Sequence, residues 1–206
     1  MSIGLGCRVI KFVAALLRFG FCLPLFGQTP SRPRIIVQPK RQIVPAGEFA
    51  EFEVVATGSD SFQYAWYHFD HQIGPQEGGD QRVLRLGPVS RTHDWLGFYS
   101  VVVQNGFGAR RSFAARLVVV DPPQIMLQPA SSNVLAGRTV RLAVRTAFDG
   151  FPKTFQWYRN EEPIDGAARR TLWLRRIQPE QAGTYKVVIQ NFGGTTTSDS
   201  AIVQVE

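Results

Sequence analysis

The side chains in this sequence that could do chemistry are few, and most of them lie close together. His68, Asp70 and His71 share the stretch HFDH, and His93 stands beside Asp94. A zinc site needs three or four such ligands converging on one point, and these two groups fall in separate connections between strand-like segments. Ser90, His93 and Asp94 have the residue types of a hydrolytic triad but share one short loop, which cannot place a base between nucleophile and carboxylate. Glu161 and Glu162 are adjacent, so nothing requires both to face one cleft. Between residues 28 and 206 there is no cysteine nucleophile, no GxSxG elbow, no glycine-rich phosphate loop and no calcium loop of alternating aspartates. The expectation is a protein that is not an enzyme, with no metal and no cofactor.

The elements that carry these residues are bounded first by composition. The 206 residues are 44% hydrophobic and 19% charged, with 13 Pro and 19 Gly spread without low-complexity runs, which excludes disordered and collagen-like chains. At the N-terminus Arg8 and Lys11 precede FVAALL, and FGFCLPLFG follows Arg18 before the chain turns polar at Gln28. This is the pattern of a secretory signal segment over residues 1–27, cleaved near Gly27 and followed by a short linker at 28–34. Arg18 interrupts an apolar run already shorter than the roughly 20 residues a membrane helix needs, so no stable transmembrane anchor is expected after cleavage. The leader holds Cys7 and Cys22, and the exported chain would have no thiol. It also holds three basic residues and no acid, so the formal charge of +7 falls to about +4 in the mature chain, and no nucleic acid partner is expected.

The remainder repeats itself. IIVQPKRQIVPAGEFAEFEVVA is followed by QIMLQPASSNVLAGRTVRLAVRT, YAWYHF by FQWYRN, VLRLGPV by LWLRRI, and GFYSVVVQNGFG by GTYKVVIQNFGG, in the same order at nearly the same spacing. Two modules follow, at 35–121 and 122–206. Each reads as short alternating strands: Val140, Leu142 and Val144 alternate with Arg141, Ala143 and Arg145, and Phe52 and Val54 with Glu51 and Glu53. Trp66 and Trp157 follow Val54 and Val144 by 12 and 13 residues, and Tyr99 and Tyr185 stand two residues before Val101 and Val187. The prediction is an all-β chain of two antiparallel sandwiches.

The ordered set AGRTVRLAV, FQWY, TLWL, AGTYKV and QNFGG, repeated as AGEFAEFEV, YAWY, VLRL and LGFYSV, resembles the immunoglobulin superfamily. The closest likeness is to the intermediate-set domains that recur in tandem in secreted and surface proteins of bacteria. The resemblance implies a core of Val54, Trp66, Tyr99 and Val101 in the first module and Val144, Trp157, Tyr185 and Val187 in the second. Valines occupy the positions at which the family usually carries its inter-sheet cysteines, and Trp95 and Gln181 replace the aspartate usual before the tyrosine corner. A disulfide there contributes about 2–4 kcal/mol, and burying each valine about 1.5–3 kcal/mol, so a packed valine pair can stand in for the bond and folding becomes independent of redox state.

With no chemistry found, recognition must come from the surface. One candidate ligand face combines Arg141, Arg145, Trp173 and Arg175, arginines without acids beside an indole, which suits an anionic polysaccharide. A second candidate, for protein contact, is the outward row Tyr67, Val102, Tyr158, Lys186 and Val188 on the third and sixth strands of the two modules. The expected function is a secreted or surface binding or adhesion module for a protein or glycan ligand. The alternatives are structural spacer domains or the accessory part of a secreted enzyme system. The junction VVVDPPQI, with Pro122 and Pro123, predicts a short stiff link.

Overall fold

A computed structural model describes residues 30–59, 61–91 and 95–206. The segment read as a leader and the pair His93 and Asp94 lie outside these residues.

In the first module the strands are β1 (Arg34–Val37), β2 (Gln42–Pro45), β3 (Ala50–Glu53), β4 (Val55–Thr57), β5 (Gln63–His68), β6 (His71–Gln72), β7 (Val83–Leu86), β8 (Gly97–Asn105), β9 (Gly108–Arg111) and β10 (Ala115–Val120). The second module repeats them as β11 (Ile125–Leu127), β12 (Ser132–Val134), β13 (Val140–Ala143), β14 (Arg145–Thr146), β15 (Thr154–Arg159), β16 (Glu162–Pro163), β17 (Thr171–Leu174), β18 (Gly183–Asn191), β19 (Gly194–Thr197) and β20 (Ala201–Val205). Among the described residues the helical segments are two single 3-10 turns, Pro75–Glu77 and Pro179–Gln181.

Each module is a sandwich. The larger sheet runs β2-β10-β8-β5-β6 with β9 on β8, and its counterpart runs β12-β20-β18-β15-β16 with β19 on β18. The first pairing in each path is parallel: Leu117 lies opposite Gln42 and Val203 opposite Ser132. The smaller layer pairs β1 with β4 and β3 with β7, and in the second module β11 with β14 and β13 with β17. Period-two alternation explains the division of side chains. Ala50 and Phe52 are buried while Glu51 and Glu53 face solvent, and Val140 and Leu142 are buried while Arg141 is exposed.

Two separate cores result. Phe52, Val54, Trp66, Leu84, Tyr99 and Val101 anchor the first; Leu142, Val144, Trp157, Ile177, Tyr185 and Val187 anchor the second. The indole N–H of Trp66 donates to the Gln81 carbonyl at 2.7 Å and that of Trp157 to the Arg169 carbonyl at 2.8 Å, so neither ring carries an unpaired donor into the core. Tyr99 Oη donates to the Trp95 carbonyl at 2.9 Å and Tyr185 Oη to the Gln181 carbonyl at 2.5 Å, which closes both tyrosine corners through backbone oxygens with no aspartate. Burial pushes the Tyr99 hydroxyl up to about 12.

At the position of the missing disulfide, Val54, Val101 and Val187 are fully buried and Val144 nearly so. The backbone beside them is held by a serine in each module. Val101 N–H donates to Ser112 Oγ at 3.0 Å and Ser112 N–H returns a bond to the Val101 carbonyl at 2.8 Å; Val187 and Ser198 repeat the exchange at 2.9 Å each way. β9 and β19 stop just short of this point, so without the serines two buried N–H groups would be orphaned.

Candidate functional site

Of the two histidines of HFDH that the structure describes, His68 is occupied in holding the fold and His71 is exposed on β6. His68 pairs with His71 across the β5–β6 hairpin, its Nε2 lies 3.0 Å from the Leu96 carbonyl, and its ring stacks on Tyr99 at 4.6 Å with a 14° interplanar angle. Among the described residues no three His, Cys, Asp or Glu side chains converge as metal ligands would.

The arginine and tryptophan residues of the second module separate into three places. Arg141 lies directly opposite Trp173 on β13 and β17, with its guanidinium 5.7 Å from the centre of the half-exposed indole. Arg145 belongs to β14, which begins beyond Val144 and pairs with Leu127 of β11 instead of with β17. Arg175 is exposed in the turn that follows β17. Only Arg141 and Trp173 therefore share a cross-strand pair. In the first module the corresponding surface pairs its charges: Arg85 Nε meets Glu51 at 2.9 Å and Arg82 meets Glu53 at 2.6 Å. Both pairs are exposed and worth about 0–1 kcal/mol.

The outward face of the larger sheet carries Tyr67, Val102, Tyr158, Lys186 and Val188, all half-buried. Tyr67 lies opposite Ser100, and Tyr158 opposite Lys186. Arg111, which sequence reasoning passed over, comes across from β9, stacks its guanidinium 4.8 Å over the Tyr67 ring and donates to Ser100 Oγ at 3.1 and 3.0 Å. In the second module Lys186 reaches Glu161, and Gln156 donates to the Ile164 carbonyl at 2.8 Å. These contacts order the polar residues around the tyrosine and valine and leave an organised surface.

Two asparagines at the module poles were also missed, because QN before a glycine reads as an ordinary turn. Asn191 is buried; its Nδ2 donates to the Asp121 carbonyl at 2.9 Å and to Asp149 Oδ2 at 3.1 Å, and its Oδ1 accepts from Gly193 N–H at 2.8 Å. Asn105 does the same in the first module, donating to the carbonyls of Ser31 at 2.9 Å and Ser59 at 2.6 Å and accepting from Phe107 N–H at 3.0 Å. Burial alone would push the Asp149 carboxyl up. The Lys153 ammonium at 2.5 Å, the Phe151 N–H at 3.0 Å and the Asn191 amide outweigh that and hold it below the usual carboxylate range. The junction is thus tied to the second module by a side chain, and Gly193 lies so close that a Cβ there would fall 2.4 Å from the Asp121 carbonyl oxygen.

Residues 122–191 match the family model described as Immunoglobulin domain. The chain carries two immunoglobulin-like domains in tandem. It is 26% identical over 201 residues to the human mucosa-associated lymphoid tissue lymphoma translocation protein 1, covering 90% of this chain and 24% of that protein. Mouse myotilin is 27% identical, over 82% of this chain and 38% of its own, and fruit-fly cell adhesion molecule Dscam2 is 28% identical over 84% and 9%. The immunoglobulin-like pair therefore spans well under half the length of each of these relatives, all of them animal proteins. Among solved structures, the titin I-band fragment I67-I69 superposes with a TM-score of 0.68 at 20% identity, over 85% of this chain and 66% of that one. Sidekick-1 immunoglobulin domains 1-4 give 0.61 at 20% identity, over 85% and 49%. At that identity the two structures speak to the fold alone.

Proposed function

We propose that this chain is an exported, non-enzymatic binding or adhesion protein, with modules at 35–121 and 122–206, that recognises a protein partner through the outward face of its larger sheets. The observation that carries the reading is the repeated surface: each module presents a half-buried tyrosine and valine (Tyr67 and Val102, Tyr158 and Val188) in a frame of hydrogen-bonded polar side chains. Apolar centre and ordered polar rim are the anatomy of a protein interface. The relatives support a protein partner, since one of them, Dscam2, is named as a cell adhesion molecule.

The intermediate-set assignment rests on the ordered motifs repeated in the two modules. A bacterial source is part of the same proposal; its support is the cysteine-free core, while the matched relatives are animal proteins. Export rests on the sequence pattern of residues 1–27, and mass spectrometry of secreted protein should find an N-terminus close to Gln28. The anionic polysaccharide face draws less support, because Arg141 already partners Trp173 and Arg145 and Arg175 stand elsewhere. A spacer role is favoured by one observation, the junction clamped by Asn191.

The deciding experiment immobilises the protein against an array of extracellular proteins and glycans. Saturable binding to a protein that is lost in Val102→Glu and Val188→Glu, and retained in Glu51→Gln on the opposite sheet, is the expected result. No saturable binding to any arrayed protein would leave the spacer as the better account.

A further inference from the structure

The outward face of the first module ends in a row of side chains that the second module lacks. Arg116 on β10 lies opposite Phe98 on β8. Arg41 immediately precedes β2, whose parallel register with β10 sets Gln42 against Leu117 and so brings Arg41 beside Arg116. On the other side of Phe98 stands Phe69, in the β5–β6 turn, with its N–H donating to the Phe98 carbonyl at 2.9 Å and its ring 6.3 Å from the Phe98 ring at 71°. Both rings are about half exposed and both arginines are exposed. Among the described residues neither Arg41 nor Arg116 has an ionic or hydrogen-bonded partner. Of the acids around this end, Asp121 faces Arg91 at 3.6 Å, Asp149 in the cleft wall is held by Lys153, and Asp70 beside Phe69 is exposed. The row opens on a cleft of about 770 Å³ whose far wall includes Gly150 and Phe151 of the second module.

The fold does not require this row. The equivalent positions in the second module are Ser131, Ile202, Thr184 and Asn160, and they satisfy one another: Ile202 N–H donates to Ser131 Oγ at 2.9 Å and Thr184 N–H to Asn160 Oδ1 at 2.9 Å. Asn160 has φ 48°, a left-handed conformation that asparagine tolerates; Phe69 is forced into the same region at φ 52°. Its ring is accommodated because residue 97 is glycine, where a Cβ would fall 2.4 Å from the ring. Neighbouring like charges also repel across paired strands. Where the second module has a row whose backbone donors are satisfied by Ser131 and Asn160, with Ile202 as its one exposed apolar side chain, the first has two unpaired cations and two half-exposed rings, one of them in a backbone region that disfavours it. Such costs are retained where a ligand offsets them.

We infer that Arg41, Arg116, Phe98 and Phe69 form a docking site for an acidic peptide segment that carries an apolar side chain. The inference rests on the reading of this sheet face as the contact surface, and names the partner's chemistry. Guanidinium forks bind carboxylates bidentately. With strands about 4.8 Å apart, the arginine pair and the phenylalanine pair are separated by about 10 Å, the reach of three extended residues at about 3.3 Å each. The phenylalanines meet edge to face and offer no broad flat platform for a sugar ring, which favours a leucine or phenylalanine side chain over a polysaccharide.

The test titrates the protein, by fluorescence anisotropy, into a labelled peptide Gly-Glu-Glu-Ser-Leu-Phe-Ser-Gly, the same peptide with Gln for Glu, the same with Gly for Leu and Phe, and labelled heparin. The variants are Arg41→Ser, Arg116→Ile, Phe98→Thr and Phe69→Asn, each the residue that the second module folds with at that position. The acidic apolar peptide should bind best, its affinity should fall as salt rises, and each arginine variant should weaken it by about tenfold or more, the equivalent of one lost charged hydrogen bond. No saturable binding of that peptide, equal binding of the Gln peptide, or indifference to all four substitutions overturns the inference. Heparin binding without peptide binding overturns it as well. If a protein partner from the array is lost in Val102→Glu but not in these four variants, the contact face stands and this docking site falls.

Discussion

Replacing Asn191 removes three hydrogen bonds from a buried place at the module junction: to the Asp121 carbonyl, to Asp149 Oδ2 and from Gly193 N–H. A net contribution of about 1 kcal/mol for each, with part of the penalty for the groups left unpaired, puts Asn191→Ala at about 2–4 kcal/mol. A module of this size has about 4–13 kcal/mol in all. Asn105→Ala should cost a similar amount in the first module, because it also breaks three bonds. The two sites differ in one respect that aspartate exposes. Asn191→Asp keeps the acceptor for Gly193 but sets a second carboxylate against Asp149, where Nδ2 now lies at 3.1 Å. Asn105→Asp meets only carbonyls. At pH 7 the Asn191→Asp loss should exceed the Asn105→Asp loss by about 1–2 kcal/mol. In the paired carboxylates one group has its folded pKa raised above the unfolded value, so the excess should shrink as pH falls through that raised pKa and the pair takes up a proton. Urea unfolding followed by far-UV circular dichroism, with the two modules resolved as separate transitions, measures all four values. A loss below about 0.5 kcal/mol for Asn191→Ala, or equal losses for the two aspartate variants at pH 7, would refute the assignment of this side chain as the junction clamp.

Trp157→Ala should destabilise the second module by about 3–5 kcal/mol, and Trp157→Phe, which keeps most of the buried ring but loses the bond to the Arg169 carbonyl, by about 1 kcal/mol, both read from the second transition in the same titration. Wild-type Asp149 has a depressed folded pKa, so its contribution is present above the unfolded value of about 4 and lost as pH falls through the folded one; acid titration should loosen the second module before the first. Tyr99 behaves oppositely: with its folded pKa at about 12, its neutral form is favoured in the fold, and first-module stability should decline from about pH 10 upward, checked by tyrosine absorbance alongside circular dichroism. The thermal midpoint of the chain from Gln28 onward should be the same with and without reductant, since that chain has no cysteine.

What could be read from the sequence was whatever repeats at short range. Alternation along Val140–Val144 and Phe52–Val54 gives strand and face together, because a strand's side chains must alternate and only one side can be dry. The tryptophan and tyrosine positions were legible through the resemblance to the immunoglobulin superfamily, which implies a core at those offsets from the strands. The serines at 112 and 198 and the asparagines at 105 and 191 were not, since their importance comes from backbone groups left unpaired by where β9 and β19 stop, and from carbonyls far away in sequence. Arg145 shows the limit of alternation. It continues the pattern of Arg141, yet the strand breaks at Val144, whose N–H turns to the Arg170 carbonyl, and the next residues pair with β11 instead of β17. Arg41 and Arg116 were hidden by a different cause: a parallel pairing between the second and last strands of a module leaves no periodic mark in either strand. Comparing the two modules position by position recovers the pair, because the positions that hold Arg41, Phe69, Phe98 and Arg116 in one module hold Ser131, Asn160, Thr184 and Ile202 in the other. A repeat shows what the scaffold needs where its copies agree. Where one copy departs toward unpaired charge and exposed rings, the scaffold has already been satisfied without them, and the departure belongs to whatever the molecule meets.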